Sequence, residues 1–132
     1  MKSKKYLLDT HALVFWVAKE KVSTDFVAFF DNQGKKGNVY FSSASIWEIA
    51  LLARKGRIKI KDVHSWKTDL LNNSPARMIA PTAEDMIDST LLPGFHKDPF
   101  DRLLIAQAKN ISAVLVTRDQ DIRRYDIDTF WK

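Results

Sequence analysis

KYLLDTHALVFWVAK, residues 5–19, changes its hydrophobic period at a single acidic residue. Before Asp9, the short apolar run Lys5 to Leu8 reads as a buried strand. After it, Thr10 to Lys19 places Leu13, Trp16 and Val17 at helical spacing. A strand that leads through one aspartate into a helix sets the pattern for the rest of the chain.

That pattern recurs downstream. Ser23 to Asn32 reads as a helix, with Ser23 as its cap and Gly34 past its end. Val39 to Ser42 reads as a strand, and Ser45 to Lys55 as a helix stopped by Gly56. Ile58 to Ile60 reads as a short extended piece, Val63 to Asn72 as a helix, and Arg77 to Ala80 as a strand closed by Pro81. Two helices are expected over Thr82 to Thr90 and Pro99 to Lys109, separated by a loop over Leu92 to Lys97. Ala113 to Thr117 reads as a strand, Asp121 to Arg124 as a helical turn, and Thr129 to Trp131 as an edge strand. Alternation of this kind predicts an α/β protein. The expected fold is a three-layer α/β/α sandwich on a mainly parallel sheet of about four to five strands. Sheets of this class carry their sites at the carboxyl ends of the strands.

The 132 residues fit one domain spanning 1–132, and 45% apolar residues suffice for one core. The absence of cysteine excludes disulfides, thiolate metal sites and a cysteine nucleophile. Met1 to Lys5 is basic, but the apolar run from Ala12 to Ala18 is too short to span a membrane, and Asp9 and His11 precede it. A cytoplasmic location without membrane attachment is therefore expected. A net charge of +5 favours polyanionic partners in general, and nothing more specific.

Four carboxylates fall where such a sheet would place a site. Asp9 follows the first strand, and Asp119 lies two residues beyond the strand ending at Thr117. Either could equally cap the helix or turn after it. Glu48 fits a capping box with Ser45, yet it shares a helix stripe with Leu51 and Leu52. Asp98-Pro99 reads as a cap followed by proline at the first helical position, which puts Asp101 at the third. Asp101 shares its stripe with Leu104, Ile105 and Ala108. Acids gathered at one sheet end repel by about 4 kcal/mol per pair at 4 Å and an effective dielectric near 20. A divalent cation removes that cost, and oxygen ligands favour Mg²⁺ or Mn²⁺. Such ions suit phosphodiester cleavage.

LLDTHALVFW, SSASIWEIALLARKGRI, LPGFHKDPFDRLLIAQA and VTRDQDIRRYDI occur in that order over nearly the whole chain. They resemble the PIN domain and, more closely, the VapC toxins of bacterial toxin–antitoxin pairs. The resemblance implies a Mg²⁺- or Mn²⁺-dependent endoribonuclease restrained by a cognate antitoxin. It matches the family's motif acids to Asp9, Glu48, Asp101 and Asp119. The expectation is that Asp9, Asp101 and Asp119 hold one ion or two, with Glu48 as a further ligand or as a water-orienting base. Thr117 matches the small hydroxyl residue before the last acid. Thr10 and Ser43 could reach the site, Asp98 lies beside it, and Asp121 could share the role of Asp119. The segment from Lys61 to Ile79 matches no motif.

Other residues are ambiguous on sequence alone. The basic run Arg54, Lys55, Arg57, Lys59 and Lys61 suits either phosphate contact or a solvated helix end. Arg102 could bind a phosphate or form a structural ion pair. His11, His64 and His96 are too scattered for a histidine metal site; His96 reads as a loop residue near the acids. Phe15, Phe26, Phe29 and Phe30 exceed what one helix face needs, so a homodimer or an antitoxin groove is expected to cover them. Two rival functions share the fold class. One is a module that binds RNA or a partner without cleaving, which the full acidic set disfavours. The other is a receiver-like phosphotransfer domain, which lacks a suitably placed lysine after a later strand.

Overall fold

The computed structural model describes residues 3–132; Met1 and Lys2, part of the basic start, lie outside them. Strand β1 (Tyr6–Leu8) leads directly into α1 (Thr10–Ala18), and α2 (Thr24–Lys35) returns the chain to β2 (Val39–Ser42). Helices α3 (Ser43–Arg54) and α4 (Val63–Asn73) precede β3 (Arg77–Ile79). Helices α5 (Ala83–Thr90) and α6 (Pro99–Asn110) precede β4 (Val114–Val116), and a 3₁₀ turn (Ile122–Arg124) precedes β5 (Thr129–Phe130). The order across the sheet is β3-β2-β1-β4-β5, and every pairing is parallel. The five strands fall within the expected count, and the sheet is wholly rather than mainly parallel.

Strand β1 sits at the centre, with Tyr6 opposite Val39 on one side and Val114 on the other. Its side chains alternate between two cores. Tyr6 and Leu8 join Val114, Val116, Leu13, Trp16, Phe26 and Phe30 on one face. Leu7 joins Leu115, Leu104, Ile105, Ile122 and Tyr125 on the other. The chain winds outward from β1 through β2 to β3, then crosses back to β4 on the opposite side. A crevice opens at such a reversal, at the carboxyl ends of β1 and β4.

Several local expectations shift. Helix α3 begins at Ser43, not Ser45, because the Ser42 hydroxyl accepts from the Ala44 amide at 3.1 Å. Glu48 is thus six residues past the cap, and capping does not explain it. Gly34 lies inside α2 rather than beyond it; a Cβ there would meet Pro75 Cγ at 2.5 Å, so the close approach requires glycine. Ile58 to Ile60 forms no strand; Ile58 and Ile60 pack against the core as irregular chain. Gly56 does stop α3, at φ +72°.

The surplus aromatics are covered by the chain itself. Phe26 and Phe30 are fully buried, Phe15 is buried, and Phe29 stacks on Phe130 at 5.1 Å. Trp131 and Phe130 of the C-terminal segment pack on Phe26, Phe29 and Phe30, so these rings do not themselves call for a partner. Among the described residues, no helix is long and apolar enough to cross a membrane.

Candidate active site

The direct passage from β1 into α1 fixes Asp9. Its amide donates to Val116 O at 3.0 Å, while its Oδ1 accepts from the Ala12 amide at 2.7 Å and caps α1. The capping alternative is therefore real, but it uses only part of the carboxylate. Burial raises the Asp9 carboxyl, against the Thr117 hydroxyl and Ala12 amide, which favour its charged form; the Asp119 charge adds to the rise.

Glu48 enters from α3. Burial raises its pKa; the Thr10 hydroxyl beside it opposes that, and the charges of Asp98 and Asp9 add to it. Its Oε1 is buried with no hydrogen-bond partner. A buried carboxylate oxygen left unpaired costs on the order of 1–3 kcal/mol, so it calls for a ligand or a functional reason. A 3.0 Å hydrogen bond between the Thr10 and Ser45 hydroxyls ties α1 to α3. Ser45, not Ser43, makes that link.

Asp101 enters from α6. Asp98 caps this helix, accepting from the Phe100 amide at 2.8 Å and the Asp101 amide at 3.4 Å, with Pro99 in the first turn as expected. Burial and the charge of Asp98 push the Asp101 carboxyl up to about 7, against the pull of His96, with Glu48 and Asp9 adding to the rise. Asp119 is more exposed. Its Oδ1 accepts from the amides of Asp121 and Ile122 at 2.8 and 3.4 Å. Partial burial works against its charge, but the His96 hydrogen bond and these amides hold it below the usual carboxylate range. Asp121 supplies an amide to Asp119; its own carboxylate caps nothing.

One residue stands closer to the centre than the sequence suggested. His96 Nε2 lies 3.0 Å from both Asp101 Oδ2 and Asp119 Oδ2. These three residues present ligand atoms within 4.8 Å of one another. The proximity of HKD to the acidic block was the only signal in the sequence. Arg102 binds neither acid nor open solvent alone: it donates to the carbonyls of Leu92, Pro93 and His96 at 2.9–3.1 Å. It clamps the loop that carries His96 rather than forming the structural ion pair expected.

The basic run stands apart from the acids. Helix α3 leads away from the carboxyl edge of the sheet, so Arg54 lies about 9 Å along the axis from Glu48. Arg57, Lys59 and Lys61 continue into a loop that lines a groove against Phe15 of α1 and Lys21 of the loop after it. None of the run pairs with the site acids among the described residues.

The donor set tests well against a divalent ion. Asp101 and Asp119 bring carboxylate oxygens together with His96, the charges of Asp9 and Glu48 add to the rise at Asp101, and Glu48 keeps an orphaned oxygen. Hard oxygen donors in this number suit Mg²⁺ or Mn²⁺.

No curated protein sequence matches the chain significantly. Solved structures match in fold. VapBC2 from Rickettsia felis, bound to a DNA fragment from its promoter, aligns at TM-score 0.72 and 20% identity, over 96% of this chain and 98% of that one. FitAcB from Neisseria gonorrhoeae aligns at 0.68 and 18%, over 95% and 96%. PAE2754 from Pyrobaculum aerophilum aligns at 0.61 and 16%, over 96% and 83%. The PIN domain profile matches residues 6–128, from the start of β1 almost to β5, and so this chain belongs to the PIN domain family.

Proposed function

We propose that the protein is a divalent-metal-dependent endoribonuclease, the toxin of a toxin–antitoxin pair. The observation that carries the reading is the buried, partnerless Oε1 of Glu48, on a carboxyl whose pKa is raised by burial and by the charges of Asp98 and Asp9. The VapC-like order of motifs along the chain supports a toxin. The fold it shares with the VapBC2 and FitAcB chains supports an antitoxin partner.

Asp9, Asp101 and Asp119 would hold the ion. When bound, the ion supplies positive charge to the phosphoryl oxygens and makes water acidic enough to attack at neutral pH. Glu48 accepts the proton of the attacking water at Oε1, since that atom has no competing donor. Water oxygen bonds to phosphorus, the bond to the 3′-oxygen breaks, and that oxygen takes a proton from solvent. The 2′-hydroxyl takes no part, so the products carry a 5′-phosphate and a 3′-hydroxyl.

The test incubates purified protein with RNA and Mn²⁺ and maps fragment ends. Cleavage leaving 5′-phosphates is expected, with Asp9→Asn inactive yet still binding RNA. Fragments ending in 2′,3′-cyclic phosphate would overturn the mechanism. No cleavage with Mn²⁺ would favour a non-cleaving RNA- or partner-binding module. Growth arrest on induction, relieved by co-expressing a neighbouring small open reading frame, tests the toxin assignment.

A further inference from the structure

His96 is held by contacts that fix which of its ring nitrogens carries the proton. The Asp98 amide donates to Nδ1 at 3.1 Å, so Nδ1 presents a lone pair. The proton of the neutral ring therefore sits on Nε2. Nε2 lies 3.0 Å from Asp101 Oδ2 and 3.0 Å from Asp119 Oδ2, so one N–H faces two carboxylate oxygens. The backbone behind the ring is fixed as well. The His96 amide donates to Tyr125 Oη at 2.9 Å, and that hydroxyl donates to Pro93 O at 2.6 Å. Arg102 holds the His96 carbonyl at 3.1 Å. The ring is aimed at the acids by design of the loop and is only 15% exposed.

A nitrogen that ligates a metal presents its lone pair, and its other nitrogen usually donates a hydrogen bond. Here the arrangement is reversed. Mg²⁺ or Mn²⁺ would sit about 2.0–2.2 Å from the carboxylate oxygens it binds. Those oxygens already accept from Nε2–H, and the N–H dipole would point its positive end at the ion. We infer that His96 is a positioning residue that competes with the divalent ion, its Nε2–H occupying the Asp101 and Asp119 oxygens until the ring turns aside. This rests on the metal-nuclease reading of the same acids. The donated N–H also offsets the repulsion between the two carboxylates, so removing it costs the metal-free fold.

The experiment uses His96→Ala and His96→Gln in the full chain. Gln supplies an amide donor near the place of Nε2. Mn²⁺ affinity is read by titration calorimetry, and thermal stability is read in EDTA. A hydrogen bond to a charged acceptor is commonly worth enough to shift an equilibrium about tenfold. His96→Ala is expected to bind Mn²⁺ about tenfold more tightly and to melt lower in EDTA, while His96→Gln stays near wild type in both. Weaker Mn²⁺ binding by His96→Ala makes His96 a ligand and overturns the inference; unchanged affinity makes it a bystander and does the same. If wild type binds no Mn²⁺ at all, the metal reading of the site fails first, and the competition falls with it.

Discussion

Glu48 shows how far one residue can be read. Its spacing from Ser45 imitates a capping box, but the helix begins at Ser43 and leaves its carboxylate with no capping duty. What remains is a buried acid with one oxygen unpaired. Glu48→Gln keeps the shape and removes the proposed proton acceptor. We expect kcat on RNA to fall about 10²–10⁴-fold, the usual worth of a positioned proton acceptor. RNA affinity should change little. A fall confined to affinity would make Glu48 a substrate contact instead. The metal-free variant should be at least as stable as wild type, since a neutral amide avoids the cost of burying a charge.

At the scale of elements, the loop between α5 and α6 depends on Arg102. Its guanidinium serves three backbone carbonyls, so Arg102→Ala frees the His96 loop without removing any site acid. Cleavage should drop while RNA affinity holds within about twofold; a large loss of affinity would return Arg102 to substrate binding. The packing of α2 makes a second prediction. Gly34→Ala gains helix propensity but drives a Cβ into Pro75. The clash should win, with a net loss of about 1–2 kcal/mol in denaturant unfolding, recovered when Pro75→Ala is added. Strands and long helices were legible because period and burial are local. The start of α3 was not, since Ser42, Ser43 and Ser45 all offer a hydroxyl and only the strand's end decides among them. The place of His96 was also hidden: it depends on Tyr125, 29 residues away. The covering of Phe29 by Phe130 lies further still along the chain. Asp9, Glu48, Asp101 and Asp119 could be picked out as acids after strands or on inward stripes. Their mutual charge effects needed the sheet order that sets β4 beside β1.

For the whole molecule, the site is a store of electrostatic strain that should be visible in the pH dependence of stability. The Asp101 carboxyl titrates near 7 in the fold, against about 3.8 when unfolded. Between those values the native state holds the proton more tightly than the unfolded chain does, so stability declines as pH rises through the window. Burial raises Asp9 and Glu48 as well, which gives the same sign. Asp119 is lowered and acts oppositely, but its contribution is lost only as pH falls below the ordinary carboxylate range. Melting in EDTA should therefore occur at a lower temperature at pH 8 than at pH 5. Asp101→Asn should remove much of that slope, stabilising the metal-free protein at pH 8 by on the order of 1–3 kcal/mol. Mn²⁺ should act most where the acids are charged. At about one hundred times its dissociation constant it adds about 2.7 kcal/mol, and this gain should be largest at pH 8 and nearly absent in Asp101→Asn. A melting temperature that rises from pH 5 to pH 8 in EDTA would show that the carboxylates are not strained in the native state. The cluster would then be a set of solvated acids, and the case for a cation among them would lose its physical basis.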